Sequence, residues 1–216
     1  MTIFNLLKQL SGGMFVTLEI FVVTLIFSLP LGLLVAFGRM SKVGVVRGIT
    51  KGYISLMRGT PLMLQLMVVY FGPYYILGIN LTSGYRLIAT FIGFSINYAA
   101  YFAEIYRGGI ESMPSGQYEA AKVLGYNKVQ TFVYIIFPQV IKRILPSITN
   151  EVITLVKDTS LAMVIAVTEM FVTARKIAAA QTSMMPFIAA AVFYYIFNLI
   201  VALGMERLEK KMNYYK

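Results

Sequence analysis

No cysteine and no histidine occur among the 216 residues, which excludes disulfides, haem ligation by these residues, Cys/His zinc sites and imidazole proton relays. Acidic residues are scarce too: nine Asp and Glu stand against nineteen Lys and Arg, for a net charge of +10. Charge of both signs makes up only 13% of the chain, where a soluble domain carries about a quarter. No G-x-x-x-x-G-K-[ST] phosphate loop is present, so the chain cannot bind ATP by that device. What it does have is apolar: 58% of residues are hydrophobic and the mean hydropathy is +0.74. That excess lies in long runs which a water-soluble core cannot hide. The class is a membrane protein.

A membrane-crossing helix needs about 20 mostly apolar residues. Five segments meet that need and predict an all-α transmembrane bundle of five spans, forming one domain over 1–216. Span one runs from about Phe15 to Phe37, interrupted by Glu19, with Pro30 and Gly32 suggesting a kink. Span two covers about Pro61 to Leu77 and span three about Leu87 to Tyr106. Span four, about 148–168, belongs to an apolar stretch from Ile148 to Phe171 broken by Lys157, Asp158, Thr159 and Ser160. Span five covers about Pro186 to Met205. The segment from Met1 to Gly13 has one Lys and leads into a run too long for a signal peptide, which predicts no cleavable signal.

Basic residues set the orientation. Arg39, Lys42, Arg47, Lys51 and Arg58 lie between spans one and two, and Arg107, Lys122, Lys128, Lys142 and Arg143 between spans three and four. Arg207, Lys210, Lys211 and Lys216 follow span five, making fourteen on one side. Lys8, Arg86, Arg175 and Lys176 make four on the other, and Lys157 lies within a span. The positive-inside bias then places the N-terminus outside and the C-terminus in the cytoplasm. Because the basic residues sit between apolar runs and not along one face, no nucleic acid partner is expected. Of the two outer connections, Gly78 to Tyr85, with Asn80, Ser83 and Gly84, is a short turn. Glu169 to Met185 suits a short surface helix.

The long inner segment, about 108–143, holds one more helix. Pro114 and Ser115 stop span three and offer an N-cap, and Gly125 supplies a stop after about two and a half turns from Gly116 to Leu124. Tyr118, Ala121 and Leu124 share one face, while Ala120 and Ala121 are small enough for close backbone approach to another surface. Lying on lipid and docking on a protein both suit such a helix.

The same residues carry a resemblance. Glu119-Ala120-Ala121, then Gly125, then Ile135-Ile136-Phe137-Pro138 resemble the EAA loop of ABC importer permeases, with Phe137 where the family favours Leu. Arg58-Gly59-Thr60-Pro61-Leu62, Tyr101-Phe102-Ala103-Glu104-Ile105, Arg107-Gly108-Gly109-Ile110, Gly116-Gln117 and Lys157-Asp158-Thr159-Ser160-Leu161 resemble its polar amino-acid branch. The likeness extends from about Ser11 to Glu206. It implies a coupling helix seated in a cleft of a separate ATPase subunit, with Gln117, Glu119, Ala120, Ala121 and Gly125 forming the contact and the turn after it. ATP and Mg would be held by that subunit, leaving this chain without a cofactor or metal. It further implies an extracytoplasmic substrate-binding protein and the plasma or inner membrane of a prokaryote. Five spans are few to enclose a pathway, so a second copy or a close paralogue is expected.

Ionisable groups within spans are costly and normally face the bundle interior. On span three Asn97, Tyr101 and Glu104 fall on one helical stripe, and on span four Glu151, Thr154 and Asp158 repeat the spacing. These residues, with Gln65 and Tyr70 on span two, form the expected wall for a polar ligand. The structural alternative pairs Lys157 with Glu104 across the bundle. Thr60 and Pro61 are expected to cap and start span two. Acids exceed bases inside the spans, which predicts arginine, lysine or histidine as substrate, with glutamine or cystine as the alternative. An ion-coupled secondary transporter is the rival mechanism; an odd number of spans and no evident repeat weigh against it. A membrane enzyme would need a nucleophile and base that the chain lacks.

Overall fold

The computed structural model describes residues 2–82 and 84–212; Ser83 of the outer turn and Lys216 of the basic tail lie outside them. Among the described residues every regular element is helical. The long helices are α1 (Ile3–Arg39), α4 (Tyr85–Glu111), α7 (Phe137–Asp158) and α9 (Met185–Met212). Shorter ones are α2 (Gly44–Gly59), α3 (Leu62–Leu77), α5 (Ser115–Val123), α6 (Lys128–Gln130) and α8 (Met170–Gln181). A π-helical turn, Thr131–Ile136, fuses α6 to α7, and a 3₁₀ turn, Thr159–Ile165, extends α7.

Four helical stretches are long and apolar enough to cross a membrane: Ile3–Arg39, Tyr85–Glu111, Lys128–Ile165 and Met185–Met212. Span two is different. Its helix, α3, has 16 residues, about 24 Å at 1.5 Å per residue, short of the ~30 Å hydrocarbon core. It qualifies only together with α2, to which it is joined by a bend of 111°.

The remaining boundaries differ from the sequence pattern for identifiable reasons. α1 begins at Ile3, not near Phe15, because Leu6, Leu10 and Gly13 are buried on that extension, where Leu6 and Leu10 pack with Met170, Ala174 and Ile177 of α8. It also continues as helix through Pro30. The fourth long helix starts near Lys128, twenty residues before Ile148. Lys142 and Arg143, which suggested a loop, lie on α7 together with the buried Val140, Ile144 and Leu145. The widened π turn stands just before Pro138, whose missing N–H leaves Tyr134 without its ordinary helical donor. α8 is not a surface helix: Met170, Val172, Ala174, Ile177 and Ala178 are buried, and Met170, Ala174 and Ile177 share an apolar cluster with Leu6 and Leu10 of α1 and Ala190 of α9.

α4 is the central post. Ala89, Phe94, Ala99, Ala100, Phe102 and Ala103 are all fully buried on it. Where α1 crosses it, a Cβ on Gly32 would stand 2.8 Å from Phe102 Cβ and 3.1 Å from the Ala99 carbonyl oxygen. The two backbones meet there, as small residues allow between membrane helices. Gly32→Leu should therefore cost at least the ~1–3 kcal/mol typical of overpacking. A clear fall in unfolding temperature in detergent is the expected result; an unchanged value would show that α1 and α4 do not depend on this contact.

Candidate functional site

Most of the candidate side chains fall into three groups. The first closes the α2–α3 bend. Helix α2 ends at Gly59 and leaves its last carbonyls without helical donors. Gln65 Nε2 donates to the Met57 carbonyl at 2.9 Å, to the Thr60 carbonyl at 3.1 Å and to Thr60 Oγ1 at 2.8 Å. From α4, the buried Asn97 Nδ2 donates to the same Met57 carbonyl at 3.2 Å and to Gln65 Oε1 at 2.8 Å. Gln65 and Asn97 are thus brought together, but they serve the broken backbone. Thr60 Oγ1 donates back to Leu56 at 2.8 Å and does not cap α3, whose N-cap position is Pro61.

The second group lies at the end of α7. Tyr98, 2% exposed, donates its hydroxyl proton to Asp158 Oδ2 at 2.7 Å. Asp158 is the last residue of α7 before the chain tightens into 3₁₀ geometry. Glu151, one stripe position earlier, is half-buried and forms no hydrogen bond or ion pair among the described residues. Thr154 donates to the Asn150 carbonyl at 2.9 Å.

In the third group, the Arg58 guanidinium lies 5.3 Å from the Tyr101 ring centre, and its charge acts on both Glu104 and Glu151. Glu104 is already paired. Arg107 Nη2 stands 2.6 Å from its Oε2, and Arg39 Nε 3.9 Å from its Oε1. The alternative pairing with Lys157 does not form; Lys157 is exposed. Tyr70 is apart from all of these, accepting a hydrogen bond from Arg86 Nε at 3.2 Å and stacking on Tyr85.

Two side chains missing from the sequence-based wall lie against its residues, Arg58 on Tyr101 and Tyr98 on Asp158. Arg58 counts as one more loop charge in the chain, and nothing in its neighbours announces a partner 43 positions on. Tyr98 lies one residue off the polar stripe, where helical spacing gives no reason to select it.

α5 follows α4 in the chain. Its N-cap position is Pro114, with Ser115 already helical and no side-chain cap. Ala121 is buried, while Glu119, Ala120 and Leu124 are exposed, so Tyr118, Ala121 and Leu124 do not share one buried face. Gln117 Oε1 accepts from Gln139 Nε2 at 3.3 Å, tying α5 to α7. Gly125 takes φ +81°, a left-handed conformation that suits glycine, and lets the Tyr126 N–H reach the Ala121 carbonyl at 3.0 Å. Val123, Leu124 and Val129 then project uncovered into solvent.

Proteins similar to this chain are transport permeases. Residues 28–214 match the family of binding-protein-dependent transport system inner membrane components, and the chain belongs to that family. The L-cystine transport system permease protein TcyB of Bacillus subtilis is 36% identical over 95% of this chain and 87% of its own length. The arginine transport system permease protein ArtQ of the same organism is 36% identical over 93% of this chain and 90% of its own. Among solved structures, that of an amino acid ABC transporter crystallised with histidines matches with a TM-score of 0.85 at 30% identity, over 98% of this chain and all of the other. The chain is a multi-pass membrane permease of an amino-acid ABC importer, with ATP hydrolysis in a separate subunit. A free-standing ion-coupled carrier is thereby set aside.

Proposed function

We propose that two copies of this chain, or one copy and a paralogue, enclose a path for a basic amino acid, lined by the facing stripes of α4 and α7. The N-terminus lies outside and the C-terminus in the cytoplasm, and α5 transmits closure of the ATPase pair through Gln117, Glu119, Ala120, Ala121 and Gly125. The observation that carries the substrate assignment is the state of the carboxylates. Glu104 is neutralised by arginines, whereas Glu151 has no ion-pair partner among the described residues and Asp158 is held by a neutral hydroxyl. Two acids seven residues apart on one helix face can meet a cationic side chain. At the end of α5 and just beyond it, the uncovered Val123, Leu124 and Val129 favour a protein surface over bare solvent.

A neutral polar amino acid is the second reading, favoured by the Arg39–Glu104–Arg107 group, which removes one acid from the balance. Competition for uptake separates the two, in vesicles holding the permease with its ATPase and binding protein. Arginine, lysine or histidine should inhibit at concentrations at least about tenfold below glutamine or cystine, the equivalent of ~1.4 kcal/mol. The reverse order assigns the neutral substrate.

A further inference from the structure

The exposed surface of α2 carries an apolar row and a set of basic residues. Val45, Ile49 and Leu56 fall on one face and are 71%, 69% and 57% exposed. Arg47 and Lys51, one turn apart, occupy the opposite side, with Lys42 just ahead of the helix. All three basic residues are exposed, and their side chains form no ion pair among the described residues. No acidic residue lies nearby in sequence either: between Glu19 and Glu104 the chain has none.

The C-terminal half of the helix is fixed in place. Ile54 is buried, and the Tyr53 hydroxyl donates to the Ile96 carbonyl of α4. The 111° bend means that if α3 crosses the bilayer, α2 must run along its surface. An anchored helix lying in the interface, with an apolar row on one side and basic residues on the other, has the form of a surface-binding element.

We propose that α2 is a binding face for anionic phospholipid headgroups, with Val45, Ile49 and Leu56 set among the upper acyl chains and Lys42, Arg47 and Lys51 drawing the negative headgroups. Charge complementarity selects this occupant. An uncompensated cluster of three cations beside an apolar row suits a negatively charged lipid surface and opposes contact with the same cluster on a second copy. The inference concerns lipid, not cargo, and stands independently of the substrate assignment.

The chain has no cysteine, so Ile49→Cys gives a single labelling position on it. The full-length chain, labelled there with bimane, is placed in nanodiscs containing a lipid spin-labelled near the top of its acyl chain. The quencher is phosphatidylglycerol in one preparation and phosphatidylcholine, at equal mole fraction, in the other. The anionic quencher should be more effective by about fivefold, the size expected of a single basic residue at such a surface. The preference should vanish in about 0.5 M salt, where screening acts within a few ångströms. It should also vanish in the Lys42→Gln, Arg47→Gln, Lys51→Gln variant, while phosphatidylcholine still quenches, showing that the helix stays placed. Equal quenching by both lipids in the unmodified background would overturn the proposal. So would protection from both, with Ile49→Cys cross-linking to a second copy, which would make this face a protein interface.

Discussion

Asp158→Ala should abolish substrate-stimulated ATP hydrolysis by the assembled transporter, and Asp158→Asn should show why. Asp158 has two roles in the structure. Its Oδ2 accepts the proton of the buried Tyr98 hydroxyl at 2.7 Å, and its charge stands on the same α7 face as the unpaired Glu151. Alanine removes both and leaves the Tyr98 hydroxyl without a partner, at roughly 1–3 kcal/mol. Asparagine keeps an acceptor for Tyr98 and removes only the charge. If the substrate is cationic, losing a buried charged partner costs about 2–5 kcal/mol of binding, at least ~30-fold in the concentration needed for half-maximal stimulation. If it is neutral, Asp158→Asn should remain within about a factor of 5, on the order of 1 kcal/mol for a hydrogen bond retained in altered form. Basal hydrolysis without substrate, and recovery of the ATPase subunit with the permease, control for assembly. Full stimulation in both variants would remove α7 from the substrate path.

The class, the helical character and the location of α5 were legible because each rests on a local signal: apolar length, punctuation by Pro114 and Gly125, and the Glu119-Ala120-Ala121 string. What the sequence hid was of two kinds. Side chains such as Gln65 and Asn97 look like ligands in a linear pattern, since a polar group in an apolar run calls for a partner. The partners turned out to be the orphan carbonyls of α2, and a bend between two helices has no sequence signature that names its angle. The second kind is charge on a buried helix. Lys142 and Arg143 read as loop because a window average cannot tell an exposed helix flank from a connection, yet Arg143 Nη1 donates across to the Ser112 carbonyl at 3.0 Å. α8 shows the same effect: Glu169, Arg175 and Lys176 dilute a segment that buries Met170, Val172, Ala174, Ile177 and Ala178.

Replacement of Glu169 should be the most damaging single change outside the polar stripes. The residue is 0% exposed, yet it is a carboxylate. Its Oε2 accepts from the Phe171 N–H at 2.7 Å and its Oε1 from the Val172 N–H at 2.8 Å, capping the first turn of α8. Tyr194 of α9 donates its hydroxyl to Oε2 at 2.9 Å. Beside it, Thr17 of α1 accepts from the Met170 N–H at 3.3 Å, and Gly13 leaves room for α8 to approach. One side chain therefore joins α8 to α9 at the point where α8 meets α1, directly after the 3₁₀ turn that leaves Asp158. Glu169→Ala strands two N–H groups and removes one acceptor of the Tyr194 hydroxyl, each worth roughly 1–3 kcal/mol. A drop of about 10 °C in unfolding temperature is expected, at 2–4 °C per kcal/mol for a chain of this length. Tyr194→Phe removes one of the three bonds to Glu169 and should cost about a third as much, and Glu169→Gln, which keeps an acceptor and loses the charge, should fall between. If Glu169→Ala melts with the unmodified protein and still transports, α8 is held by its apolar face alone, and the buried carboxylate is dispensable.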